Sequence, residues 1–164
     1  MTNDKLAVLV NTFGSSIISV GREVGFEATL NKPRVARGVK VDNADDVCAV
    51  SLIGIAGGGI RGSAIIMLDG SGFNTVVNAM TGGMIKPDKD DPTAMSVAGE
   101  LSNLTGGRAL IQSTLIGVDI TPPQLISGSN IINVSAQAPG SKCITLPFAV
   151  KPSGTLYLVL TFNI

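Results

Sequence analysis

VCAVSLIGIAGGGIRGSAIIMLDG, residues 47–70, admits two incompatible readings, and the choice between them decides the fold class. Gly57-x-Gly59-x-x-Gly62 fits the dinucleotide-binding fingerprint of a parallel, doubly wound sheet. That fingerprint needs a helix beginning at its third glycine, so that the helix N-terminus meets a pyrophosphate. Here the third glycine leads into SAIIML, a β-branched run of strand character, and VCAVSLIGI before the glycines has the same character. Two strands joined by AGGGIRG make an antiparallel hairpin, and the phosphate cradle fails on context.

Upstream of the hairpin, Leu6, Leu9, Val10, Phe13, Ile17, Val20 and Val24 recur at three- and four-residue steps, which predicts an amphipathic helix over residues 5–24. Asn31-Lys32-Pro33 reads as a turn. Downstream, SGFNTVVNAMTGG sets Phe73, Val76, Val77 and Met80 at helical spacing and ends on glycines. After the polar loop IKPDKDDP, Asp91-Pro92 supplies an acidic N-cap and a proline for the first turn of a helix expected over residues 92–112. Prolines hold GVDITPPQLISG extended, and SKCITLPFAVKPSGTLYLVLTFNI reads as two strands around the turn Lys151-Pro152-Ser153-Gly154. The expectation is one α+β domain over residues 1–164, an antiparallel sheet with the two long helices packed on one face. The last strand, TLYLVLTFNI, carries no charge and no proline; read as an unguarded edge, it predicts a homodimer joined by sheet pairing.

Composition removes several kinds of chemistry. The 164 residues contain no histidine and two cysteines, Cys48 and Cys143, too few for a structural zinc cluster and incompatible with a histidine-based triad. Both cysteines sit in strand-like runs and read as reduced core residues. Twelve basic and 12 acidic residues cancel, so no broad field is available to hold nucleic acid or an anionic membrane. The apolar start is interrupted by Asn11 and Thr12 without a cleavage pattern, and no run approaches the length of a membrane span. A soluble, cytoplasmic protein is expected.

Against this aliphatic background SVAGELSNLTGG, residues 96–107, stands out. At about 100° per residue, Ser96, Glu100, Asn103 and Gly107 align on one side of the helix. Ala94, Met95, Ala98, Leu101, Thr105 and Ala109 take the other. Glu100 and Asn103 are helical neighbours. Such a pair is either an ordinary solvated face or a site. Asn103 and the glycines at 99, 106 and 107 all lower helix propensity, and small neighbours leave the carboxylate and carboxamide clear for a second surface to approach. A carboxamide accepts and donates at once, so it holds a water in one orientation; a carboxylate anchors a cation of a partner. Together they suffice for a phosphoryl group that is already activated, where positioning and charge stabilisation dominate.

Ser96-x-x-x-Glu100-x-x-Asn103 resembles the signature of the CheC/CheX/FliY chemotaxis phosphatases. SLIGIAGGGIRGSAIIML, VVNAMTGGM, AGELSNLTGGRA and VDITPPQLISG follow the order and spacing of the CheX type, so the resemblance spans residues 47–128. It implies a CheC-like fold, a homodimer, and hydrolysis of the aspartyl phosphate of a CheY-like response regulator. Glu100 would pair with the regulator's active-site lysine, and Asn103 would orient the attacking water. Ser96, Gly99 and Gly107 would face the partner. No cofactor of its own is implied, the Mg2+ belonging to the receiver. The two-site members repeat the Glu-x-x-Asn pair on the first helix; here Asn11 has Val8 where that glutamate would stand, so the chain is similar to the single-site branch. Two other readings remain: a non-catalytic flagellar-switch-like or adaptor module that binds a receiver domain, and a phosphatase for a receiver outside chemotaxis.

Overall fold

The structure is a computed structural model and describes residues 3–128 and 142–163. Along them run α1 (Asn3–Val24), β1 (Glu27–Leu30), β2 (Arg34–Ala36), β3 (Val47–Gly57) and β4 (Ile60–Asp69). Then come α2 (Gly70–Thr81), α3 (Pro92–Ser113), β5 (Val118–Ile120), β6 (Gln124–Ser127), β7 (Cys143–Lys151) and β8 (Thr155–Asn163). The 47–70 stretch is the hairpin its residues predict, with β3 and β4 antiparallel and closing at Gly57 opposite Ile60. Gly57 has a φ of +114°, and a Cβ there would overlap the carbonyl oxygen of Gly117, whereas Gly59, at φ +81°, faces open space. The glycines therefore serve a tight turn and a close backbone approach.

Among the described residues every strand pairing is antiparallel, in the order β1-β7-β8-β4-β3-β5, with β2 also on β7 and β6 also on β3. Alternation along the central strands assigns their faces. Ala64, Ile66 and Leu68 of β4 and Leu156, Leu158 and Leu160 of β8 join the main core, where Leu9, Phe13, Ile17 and Val20 of α1 and Ala94, Ala98, Leu101 and Ala109 of α3 cover them. Both long helices thus lie on one face, with Phe73, Val76 and Val77 of α2 in the same core. Ile65 and Met67 of β4 and Tyr157 and Val159 of β8 face the other way, into a smaller cluster bordered by Val39 and Val41. That segment is held by the Arg34–Asp42 ion pair at 2.9 Å, by the Asp42 N–H donating to the Tyr157 hydroxyl at 3.2 Å, and by the Lys40 N–H donating to Thr145 Oγ1 at 3.2 Å.

Two features depart from the sequence expectation. β1 and β2 are short additions to β7 that no sequence pattern announced. More consequentially, β8 is not an edge: it lies between β4 and β7. Its uncharged composition reflects burial on both faces, and the edge-strand argument for a homodimer loses its ground. The outer positions belong to β1 and β2 on one side and to β5 and β6 on the other. Among the described residues no helix is long and apolar enough to cross a membrane.

The hairpin geometry gives a contrast between neighbouring glycines. Gly57→Ala, which adds an overlap with backbone to an unfavourable φ, is expected to destabilise the protein by more than about 2 kcal/mol. Gly59→Ala, with space available, should cost about 1 kcal/mol. Denaturant midpoints of the two variants measure the difference.

Candidate functional site

α3 begins where its sequence dictates. The Asp91 side chain accepts from the Thr93 N–H at 2.9 Å and Pro92 occupies the first turn. Its inner side combines the small residues Ala94, Ala98, Gly99, Ser102, Thr105, Gly106 and Ala109 with the larger Met95, Val97 and Leu101, all buried. A Cβ on Gly106 would lie 2.7 Å from Ile53 Cδ1 and 3.2 Å from Ile120 Cδ1, so α3 rides directly on β3 and β5. Lower on the helix, a Cβ on Gly99 would lie 3.2 Å from both Pro123 Cγ and Leu125 Cδ2, at the start of β6. Between them the buried hydroxyl of Ser102 donates to that of Ser51 on β3 at 2.7 Å. At the flank Arg108 ties α3 to α1, donating to Ser19 Oγ at 3.0 Å and to Glu23 Oε2 at 2.6 Å. The hydrogen bond from Arg108 is the main cause that holds the Glu23 carboxyl below its usual range.

On the outer side Ser96, Glu100 and Asn103 are exposed and Gly107 is half-exposed. Among the described residues neither Glu100 nor Asn103 has a side-chain hydrogen bond or ion pair, and helical spacing sets their Cβ atoms about 5–6 Å apart. Ser96 donates to the Thr93 carbonyl at 2.6 Å, which fixes its hydroxyl against the helix. Four of the five residues expected at the site therefore share one open stripe. Gly99 does not: it is buried against Pro123 and Leu125, and its small size serves packing inside this chain. The same contacts explain Pro123, which closes over the flank of α3.

Leu104, 40% exposed, and Ile111, 81% exposed, border the stripe and were not expected there. The same helical arithmetic that aligned Glu100 with Asn103 places them beside it, but apolar residues in an amphipathic helix are read as core by default. On α1, Asn11 and Val8 are both exposed, so the position three residues before this carboxamide holds no carboxylate. Cys48 is half-buried, and burial is the main cause that pushes its thiol up, which disfavours the thiolate as a nucleophile. A surface groove around Arg22, Phe26 and Lys151 contains none of the stripe residues.

The stripe carries one acceptor-only group and one group that both donates and accepts, both exposed to solvent.

A sequence model of the family described as Chemotaxis phosphatase CheX matches residues 49–149. The chain is 35% identical over 128 residues to the CheY-P phosphatase CheX of Thermotoga maritima, a match that covers 76% of this chain and 79% of that protein. Among solved structures, a CheC-like superfamily protein from a Shewanella species superposes with a TM-score of 0.81 at 24% identity, covering 100% of both chains. A chain of the CheX–CheY–BeF3–Mg2+ complex from Borrelia burgdorferi superposes with a TM-score of 0.72 at 22% identity, over 94% of this chain and 97% of that one. At these identities the two structures show a common fold.

The seating of α3 is itself testable. Ser102→Ala strands the buried Ser51 hydroxyl and should cost about 1–3 kcal/mol, while Ser51→Ala with Ser102→Ala should cost no more than the single change. Denaturation of the two single variants and the double variant gives the coupling.

Proposed function

The chain belongs to the CheX family of chemotaxis phosphatases, and on that premise we propose that it accelerates hydrolysis of the aspartyl phosphate on a CheY-like response regulator, with Glu100 and Asn103 as its working groups. The observation that carries the reading is the pair itself: two polar side chains on one exposed helix face, adjacent and without partners among the described residues. The relative of known activity is a CheY-P phosphatase, and the complex in Borrelia burgdorferi pairs a CheX with a CheY.

An aspartyl phosphate is a mixed anhydride, so its hydrolysis needs a positioned water more than a strong base. The water oxygen attacks phosphorus in line as the bond from phosphorus to the aspartyl oxygen breaks. The products are inorganic phosphate, which retains the protons of the water, and the regenerated aspartate carboxylate. Asn103 cannot take a proton at neutral pH. Its carboxamide oxygen accepts from the water and its N–H donates, which fixes the water on the line of attack. Glu100 pairs with the regulator's lysine and so sets the position of α3 over the phosphoryl group. The Mg2+ that offsets charge on the phosphoryl oxygens is assigned to the receiver, and the working groups on this side are only the carboxylate and the carboxamide. Ser96 and Gly107 keep the stripe low enough for the two surfaces to meet.

Single-turnover phosphate release from a phosphorylated receiver tests the reading. Asn103→Ala is expected to lower the rate at least tenfold, about 1.4 kcal/mol, with receiver binding largely kept. Glu100→Ala should weaken binding as well, since its ion pair forms before the chemical step. Both residues are exposed, so the thermal midpoint should not move. Equal rates for wild type and Asn103→Ala would favour a non-catalytic receiver-binding module instead.

A further inference from the structure

α3 contains three interior glycines, and the chain explains two of them. Gly106 makes room for Ile53 and Ile120, and Gly99 for Pro123 and Leu125. Gly107 makes room for nothing: a Cβ there would meet no atom within 4 Å, and its φ is not in the positive region that favours glycine. An alanine at such a position fits without strain and favours the helix, so the absence of a side chain is not required by the fold. Around Gly107, Leu104 lies one turn toward the N-terminus and Ile111 one turn toward the C-terminus, 40% and 81% exposed. Helical side chains lean toward the N-terminus, so Ile111 reaches over the Gly107 turn, and a side chain on residue 107 would lean over Asn103.

We propose that Gly107, walled by Leu104 and Ile111, is a docking notch that seats an apolar side chain of the phosphorylated receiver and keeps the space over the Asn103 carboxamide open. This deepens the phosphatase reading and rests on it. The notch is continuous with the stripe that carries Glu100, whose carboxylate has no cation among the described residues. The occupant that supplies the cation at Glu100 is thus the one that lies over Gly107 about 10 Å further along the axis, well within the footprint of one protein domain. Glu100 sets the charge complementarity, and Leu104 and Ile111 offer the apolar contact that a lone exposed ion pair lacks.

The test sets stability against recognition. Gly107→Ala and Gly107→Leu should both raise the denaturant midpoint, because each improves helix propensity at an open position. Gly107→Leu should nevertheless weaken binding of a beryllofluoride-activated receiver at least tenfold and lower kcat/KM for dephosphorylation, with part of the loss in KM. Ile111→Ser should weaken the same binding severalfold without lowering the midpoint by more than a surface change does. Wild-type activity together with undiminished receiver binding by Gly107→Leu overturns the notch alone. Wild-type protein that binds the receiver but does not accelerate phosphate loss overturns the phosphatase reading, while the binding of Gly107→Leu still decides whether the notch is there.

Discussion

The structure depends on how closely α3 lies against the sheet. An interface of large side chains holds a helix about 10 Å from its neighbours, whereas along one line of α3 the contact residues are Gly99, Ser102 and Gly106, with Ile53 and Ile120 projecting into the gap at Gly106. Close approach leaves polar atoms with no room for water, and the hydroxyl of Ser102 is satisfied by Ser51 across the interface. The apolar content of the core comes from Met95, Val97 and Leu101 of α3 together with Leu9, Phe13 and Ile17 of α1 on one side and Leu158 and Ile66 of the sheet beneath. A helix seated by contacts at Gly99, Ser102 and Gly106 over two turns has little freedom to roll, and its outer stripe inherits that rigidity.

Rigidity matters to the proposed mechanism, because in it the stripe works by geometry. A carboxamide that only holds a water contributes in proportion to how narrowly it restricts that water, and placement on a packed helix restricts it better than placement on a loop. The Arg108 contacts to Ser19 and Glu23 add a brace from α1 on the side of Leu104. The hydrogen bond from Arg108 holds the Glu23 carboxyl below its usual range, so the brace keeps its charge to lower pH than a free glutamate would.

Much of this was legible in the sequence, for local reasons. Asp91-Pro92 marked the start of α3 because a cap and a first-turn proline are written in adjacent residues, and the run of SAIIML after Gly62 excluded a nucleotide fold by itself. What was not legible depended on distant chain. β1 and β2 are three or four residues long and exist only because β7 offers them an edge. The uncharged β8 was read as an exposed edge, yet Leu156, Leu158 and Leu160 face one core and Tyr157 and Val159 the other; lack of charge marks double burial as readily as it marks a liability. Gly99 sits only about 40° around the helix from Asn103, at the border of the open stripe. Which side of that border it takes is decided by Pro123 and Leu125, more than 20 residues downstream.

A protein without histidine and with its thiols packed away has few means of doing chemistry alone. Under the proposed mechanism, every catalytic element other than the carboxylate and carboxamide arrives with the partner, including the activated bond and the cation. That division has a consequence for specificity. On that proposal, a receiver that docks imperfectly still brings its own labile phosphoryl group, but the water would be held only with α3 at the right height over it, and at Gly107 the chain forgoes a stabilising side chain that its own packing would permit. On α1 Asn11 is exposed with Val8, and not a carboxylate, three residues before it, so under the proposed mechanism that carboxamide lacks the neighbour that would anchor a partner's cation.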